Sequence, residues 1–177
     1  MSNISPAALS LAGLAIEYCK TVAQCRENEP RQFVRDVLRY LPRIYITICD
    51  LRPYEEEEET EVDETGAIYD TVTEEQYNGV MMDMSSVLGE NDMYLDTPSD
   101  EMRYSDTPIA VSLAEKLADV YQAMADFAAT VGQVTPEMIP DVLADLKYRF
   151  ASYLSETICS SLRAANYIYH NASFDQE

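Results

Sequence analysis

Tryptophan is missing from this 177-residue chain, histidine occurs once, glycine five times, and lysine and arginine together number only twelve. Each scarcity excludes something. His170 is the only imidazole, so a multi-histidine metal centre cannot be assembled, and a Ser/His/Asp or Cys/His nucleophile arrangement is not easily built on a residue so near the chain end. Five glycines leave no glycine-rich phosphate or dinucleotide turn, no Gly-x-Ser-x-Gly elbow, and too few tight turns for a many-stranded β-sandwich. No apolar run reaches the roughly 18–20 residues that a bilayer crossing requires, so no membrane role is expected.

The paucity of basic residues is uneven. Residues 51–107 hold 18 of the 32 acidic residues but only Arg52 and Arg103 of the twelve basic ones, a net of −16 out of −20 for the chain. Within that block, Glu55, Glu56, Glu57, Glu58 and Glu59 run consecutively and are followed by Glu61, Asp63 and Glu64. Charge at this density repels itself and favours a surface segment. It can act as a solubilising loop, as a docking site for a basic protein, or as a mimic of a nucleic-acid backbone. Direct nucleic-acid binding is disfavoured, because any counterion release would have to overcome the net negative charge.

Upstream, Arg31, Arg35 and Arg39, with Arg43 beyond Pro42, recur every four residues and form a ridge opposite an apolar helix face. Guanidinium forks at this spacing suit an anionic partner or the chain's own Glu55 to Glu59 run, although a solvated face with local ion pairs, Asp36 among them, is the simpler explanation. Carboxylates at helical spacing also occur further on. Glu115 and Asp119 lie one turn apart, Asp126 two turns beyond, and Asp141 and Asp145 repeat the one-turn spacing. Magnesium-dependent all-helical nucleotide or phosphoester hydrolases place metal with such residues, but their ExxE and ExxD pairs are absent from these stretches. An EF-hand starting at Asp63 fails because its sixth position is Ile68 rather than glycine. A di-iron bundle fails for want of histidines.

The four cysteines, Cys19, Cys25, Cys49 and Cys159, contain no CxxC pair and read as reduced, mostly buried thiols. The N-terminal apolar stretch lacks a preceding positive charge, so it reads as a helix rather than a secretory signal, and a cytoplasmic location is expected.

Periodicity predicts an all-α, single-domain, up-and-down bundle of five or six helices spanning 1–177. Helix starts are marked by Ser5-Pro6, Pro30, a Thr73/Gln76 capping box, Thr107-Pro108 and Thr135-Pro136. The predicted helices cover about 6–26, 30 to the late forties with a kink or break at Pro42, 73–88, 107 to about 128, and 135 to about 170, the last long enough to bend. Acidic connections are expected at about 51–71 and 89–106, with Met93, Tyr94 and Leu95 pinning the second to the core. No strand is expected. Most of the thirteen tyrosines, including Tyr18, Tyr45, Tyr121 and Tyr153, fall on core stripes.

Several strings carry a family likeness: VTEEQYNGV from Val72, YLDTPSDE from Tyr94, VSLAEKLADVYQAMADF from Val111, and FASYLSETICSSLRAANYIYH from Phe150. Together they resemble an uncharacterised bacterial family, seen largely in Bacteroides relatives and catalogued only as a domain of unknown function. The family tends to carry tryptophan where this chain has Leu154. The resemblance implies a bacterial, cytosolic, all-helical protein and transfers no catalytic or cofactor-binding residue. The leading functional expectation is a non-enzymatic interaction or regulatory protein whose acidic run engages a basic macromolecule. The alternative is the magnesium-dependent hydrolase.

Overall fold

The structure is a computed structural model that describes residues 6–51, 66–97 and 107–172. Its helices are α1 (Pro6–Ala23), α2 (Pro30–Cys49), α3 (Glu74–Leu88), α4 (Leu113–Val131), α5 (Ile139–Arg149) and α6 (Ser155–Asn171). The fold is all-α apart from one small sheet. Helix α4 lies at its centre, packed against α1, α3, α5 and α6, while α2 packs on α1 and α6. The reason is compositional: leucine, valine, phenylalanine, methionine and small alanines occupy more than one of its faces, so neighbours approach from several sides. Tyr18 of α1 is wholly buried against it and donates its hydroxyl to the Leu117 carbonyl at 2.9 Å.

Pro42 neither breaks α2 nor divides it, since one helix runs from Pro30 to Cys49. Leu41, Ile44 and Ile48 are buried on either side of the proline. Packing on two neighbouring helices therefore outweighs the missing hydrogen bond, a cost of about 3 kcal/mol. The Thr73/Gln76 capping box forms as its residues predict, with both reciprocal hydrogen bonds present, and Gly89 ends α3 at φ +57°.

The absence of strands is a misreading of the sequence. Met93–Asp96 (β1) and Ile109–Ser112 (β2) pair antiparallel, with Met93 opposite Ser112 and Asp96 opposite Ile109. Accordingly, the connection predicted as a loop over 89–106 begins with a 3-10 turn and a strand, and α4 starts at Leu113 rather than at Pro108. Ser112 is the true cap, accepting from the Glu115 N–H. The buried Asp92 carboxylate accepts from the Ala114 N–H at 2.7 Å, which satisfies an orphan donor and places negative charge at the helix N-terminus. Strand alternation also corrects the pinning residues: Tyr94 packs inward, whereas Met93 and Leu95 are 56% and 62% exposed.

The hairpin is held to α6 by Asp96, which accepts from Ser160 and pairs with Arg163 at 2.8 Å. Burial alone would raise the Asp96 pKa, but the Ser160 and Thr97 hydrogen bonds and the Arg163 charge outweigh it and hold the carboxyl below its ordinary value of 3.8. A depressed carboxylate stabilises the fold above the unfolded pKa and loses that contribution as pH falls through the folded value. Acidification below about pH 4 is therefore expected to loosen the hairpin from α6. Hydrogen exchange over 93–96 should show that step in the native chain and not in Asp96→Asn.

The long final helix is interrupted. Residues 136–138 form a 3-10 turn, and between α5 and α6 the backbone widens into a π turn at Phe150–Leu154. The wider turn inserts a residue into the helical phase, which keeps Leu154 in the core and turns Tyr153 out of it. The cysteines also depart from expectation. Cys25 is buried and Cys19 half-buried, but Cys49 and Cys159 are exposed, and all four are free. Burial pushes the Cys19 thiol up to about 12, so it is unreactive at neutral pH.

Candidate functional site

A polar cleft of about 330 Å³ opens between α4 and the α5–π turn junction. Asp119, Gln122, Ala123 and Asp126 line it from α4, spaced three or four residues apart on one helix face, and Arg149 and Tyr153 line the opposite wall. The π turn is what presents Tyr153 there, and such turns recur at functional sites.

Helix α3 reaches the cleft residue Asp119. The Tyr77 hydroxyl donates to Asp119 Oδ1 at 2.7 Å. Burial raises the Asp119 pKa above the ordinary carboxylate value, with the Tyr77 hydrogen bond and the Lys116 charge only partly opposing it. Tyr77 and Tyr153 are both raised, chiefly by burial, with Asp119 adding to each and Arg149 countering it at Tyr153.

Residues 66–72 form a strap across α4 and α5. Asp126 Oδ1 accepts the Thr71 N–H, the Thr71 hydroxyl and the Val72 N–H at 2.7, 2.7 and 2.9 Å. Thr130 Oγ1 accepts from the Tyr69 N–H, and Asp145 Oδ2 accepts from the Ile68 N–H at 2.8 Å. Arg149 completes the clamp, donating from Nε to Asp145 and from Nη2 to the Ile68 carbonyl. The Ile68 side chain is buried beneath.

The residues singled out from sequence separate clearly. Glu55 to Glu59 lie outside the described residues. Arg31, Arg35, Arg39 and Arg43 are all exposed on α2, as the ridge predicts. Among the described residues none of them forms an ion pair; Arg31 instead stacks over the Tyr169 ring at 5.2 Å, and Asp36 accepts from Gln32. Of the four candidate magnesium ligands, Asp119 reaches the cleft, Glu115 and Asp141 are exposed, and Asp145 is buried in the strap clamp. Among the described residues no group of three or more His, Cys, Asp or Glu is placed to hold a metal ion. Gln122, Arg149, Tyr153 and Tyr77 were not singled out as site residues. A signal did exist for the first: Asp119, Gln122 and Asp126 form a polar stripe on a helix whose other faces are apolar.

Among the described residues no helix is long and apolar enough to cross a membrane. The fold is similar to the crystal structure of protein BF1032 from Bacteroides fragilis, with a TM-score of 0.75 at 22% identity over 97% of this chain and 98% of that one. At that identity the likeness speaks to the fold. No curated protein matches the chain. A family model matches residues 2–171, nearly the whole sequence, and the chain therefore belongs to the family described as a domain of unknown function, DUF5063.

Proposed function

We propose that this protein is a cytosolic, non-enzymatic interaction or regulatory protein that engages a basic protein partner through its acidic segment, with Glu55 to Glu59 as the main contact. The observation that supports this reading is the anchoring of the segment's flanks. Leu51, at the end of α2, and Ile68, at the start of the strap, are each 3% exposed, and the strap backbone is held by three buried side chains. The residues on either side of the acidic run are thus held to the fold. The buried carboxylates Asp92, Asp126 and Asp145 are engaged in holding backbone and side-chain donors of the fold itself.

Contact must be close, because physiological salt screens charge beyond about 8 Å. A variant with Glu55 to Glu59 all changed to glutamine is expected to keep its thermal midpoint and to lose a salt-sensitive partner in affinity capture. Binding to a defined lysine-rich peptide should weaken in parallel. Identical capture by both proteins would overturn the reading.

The alternative, a magnesium-dependent nucleotide or phosphoester hydrolase on Glu115, Asp119, Asp141 and Asp145, has only the cleft position of Asp119 in its favour. A magnesium titration followed by thermal shift, with a nucleotide panel, tests it directly.

A further inference from the structure

We propose that the two exposed arginines nearest the C-terminal end of α2, Arg39 and Arg43, are the docking site of the chain's own acidic run, Glu55 to Glu59. Such docking regulates the function proposed above, and that consequence rests on that reading: a basic partner has to displace the arginines to reach the run.

The ridge is unpaired charge on a fixed base. Arg35, Arg39 and Arg43 are exposed and pair with no carboxylate among the described residues, although the chain has 32 acidic residues to 12 basic ones. Beneath them Val37, Leu41, Ile44 and Ile48 are buried, so the helix that carries the ridge is held in place. Guanidinium forks standing one turn apart suit carboxylates. The densest set of carboxylates in the chain follows within twenty residues of both arginines.

Chain length and end points choose the occupant. Residues 52–65, fourteen in all, join Leu51 to Gly66. Both flanks belong to the same end of α2. Leu51 is buried two residues after Cys49, the last of that helix, and the Ile68 carbonyl is held by Arg149, the neighbour of Phe150, whose ring stands 5.0 Å from that of Tyr45. An extended chain covers at most about 3.3–3.6 Å per residue, so Glu55 reaches about 14 Å from Leu51 and Glu59 about 24 Å from Gly66. Arg43 and Arg39 lie about 9 and 15 Å from Cys49 along the helix, and Arg31 about 27 Å. The run therefore reaches the nearer two. Arg31 is engaged elsewhere, over the Tyr169 ring. A tether this short gives the run a high effective concentration at the arginines, whereas a second copy brings its own charge of −20 and is repelled. Exposed ion pairs are individually weak, so a basic partner can displace the contact.

Crosslinking of the full chain tests the docking. Arg39→Lys with Arg43→Lys keeps the charge and supplies amines, which a zero-length carbodiimide joins to carboxylates in contact. Mass mapping of the monomer is expected to link position 39 or 43 to one of Glu55 to Glu59, and Arg31→Lys is expected to give no link to the run. Absence of the first link, its appearance only in covalent dimers, or an equal yield in Arg31→Lys would overturn the docking. Titration of a lysine-rich peptide tests the consequence. Arg39→Gln with Arg43→Gln should tighten peptide binding about threefold or more, because the run is no longer occupied. Lys20→Gln with Arg31→Gln makes the same change in net charge away from the docking site and should leave the affinity unchanged at physiological salt. Equal affinities in the two double variants would overturn the regulation. The two readings fail separately: a link without peptide binding keeps the docking and removes the basic-partner function, and peptide binding without a link does the reverse.

Discussion

Replacing Asp126 by alanine is expected to lower the thermal midpoint by roughly 8–15 °C. The size follows from what one oxygen does. Asp126 Oδ1 accepts two backbone N–H groups and one hydroxyl from Thr71 and Val72, all within 2.9 Å, in a nearly dry setting. Hydrogen bonds to a charged acceptor are worth about 1.5–3 kcal/mol each, and removing the acceptor leaves partly buried donors without a partner. Allowing for non-additivity, a loss of about 3–5 kcal/mol is expected. In a chain of this size each kcal/mol moves the midpoint by about 2–4 °C. Asp126→Asn keeps an acceptor oxygen and should fall between the two, which separates geometry from charge. Thermal melts followed by circular dichroism measure the shift, and hydrogen exchange at Thr71 and Val72 locates it. Protected amides there in the alanine variant would show that the strap is held by something else. Because the strap fixes one flank of the acidic segment, the same variant should also weaken binding of a lysine-rich peptide with Glu55 to Glu59 intact.

That strap marks where reading the sequence stops working. The helices were legible because their apolar residues recur every three or four positions: α1, α2 and α6 bury most of the stripes that the pattern indicates, and α3 buries Met84 and Leu88 and packs the rest of its stripe, half-buried, against the core. The boundaries that failed share a cause. Thr107-Pro108 has the chemistry of a helix start, and a proline fits the edge of a strand equally well. The choice was made at a distance: Asp92, twenty-two residues before Ala114, caps its N–H and so fixes where α4 begins. Met93, Tyr94 and Leu95 are three apolar residues in a row, and only the pairing with β2 decides that the outer two face away.

The site was legible by halves. Asp119 and Asp126 drew attention through their spacing on α4, and the cleft contains both. Their roles were invisible, because Tyr77, Thr71 and Val72 reach them from 42 to 55 positions away. Tyr153 was misassigned to the core for a different reason. A pattern read at 3.6 residues per turn assumes an unbroken phase, and the π turn at Phe150–Leu154 shifts it. Nothing in FASYL announces a wide turn. Asp145 was noticed as a carboxylate at helical spacing, and its burial against Arg149 and the Ile68 N–H gives it a structural task instead.

The second large effect is expected at that pair. Arg149 is mostly covered, Asp145 almost completely, and their 3.2 Å contact lies beneath the strap. Arg149→Met fills much of the same volume but leaves the Asp145 charge with only the Ile68 N–H for company. Removing one partner of a buried pair costs about 3–5 kcal/mol, most of it the penalty of the stranded charge. The double variant Asp145→Asn with Arg149→Met should recover most of that loss, since a neutral amide oxygen can still accept from Ile68 and no buried charge remains. Chemical denaturation of the native chain, both single variants and the double variant closes the cycle, with an expected coupling of about 2 kcal/mol or more. If the two single losses simply add, the pair is a surface ion pair in energetic terms, and the clamp on Ile68 must rest on its hydrogen bonds and apolar burial alone. If they do not add, the charge on Asp145 and the guanidinium of Arg149 form one unit. The cleft wall that carries Arg149 is then rigid because the strap is, and the fold of residues 66–72 and the shape of the site are set by the same three side chains, Asp126, Asp145 and Arg149.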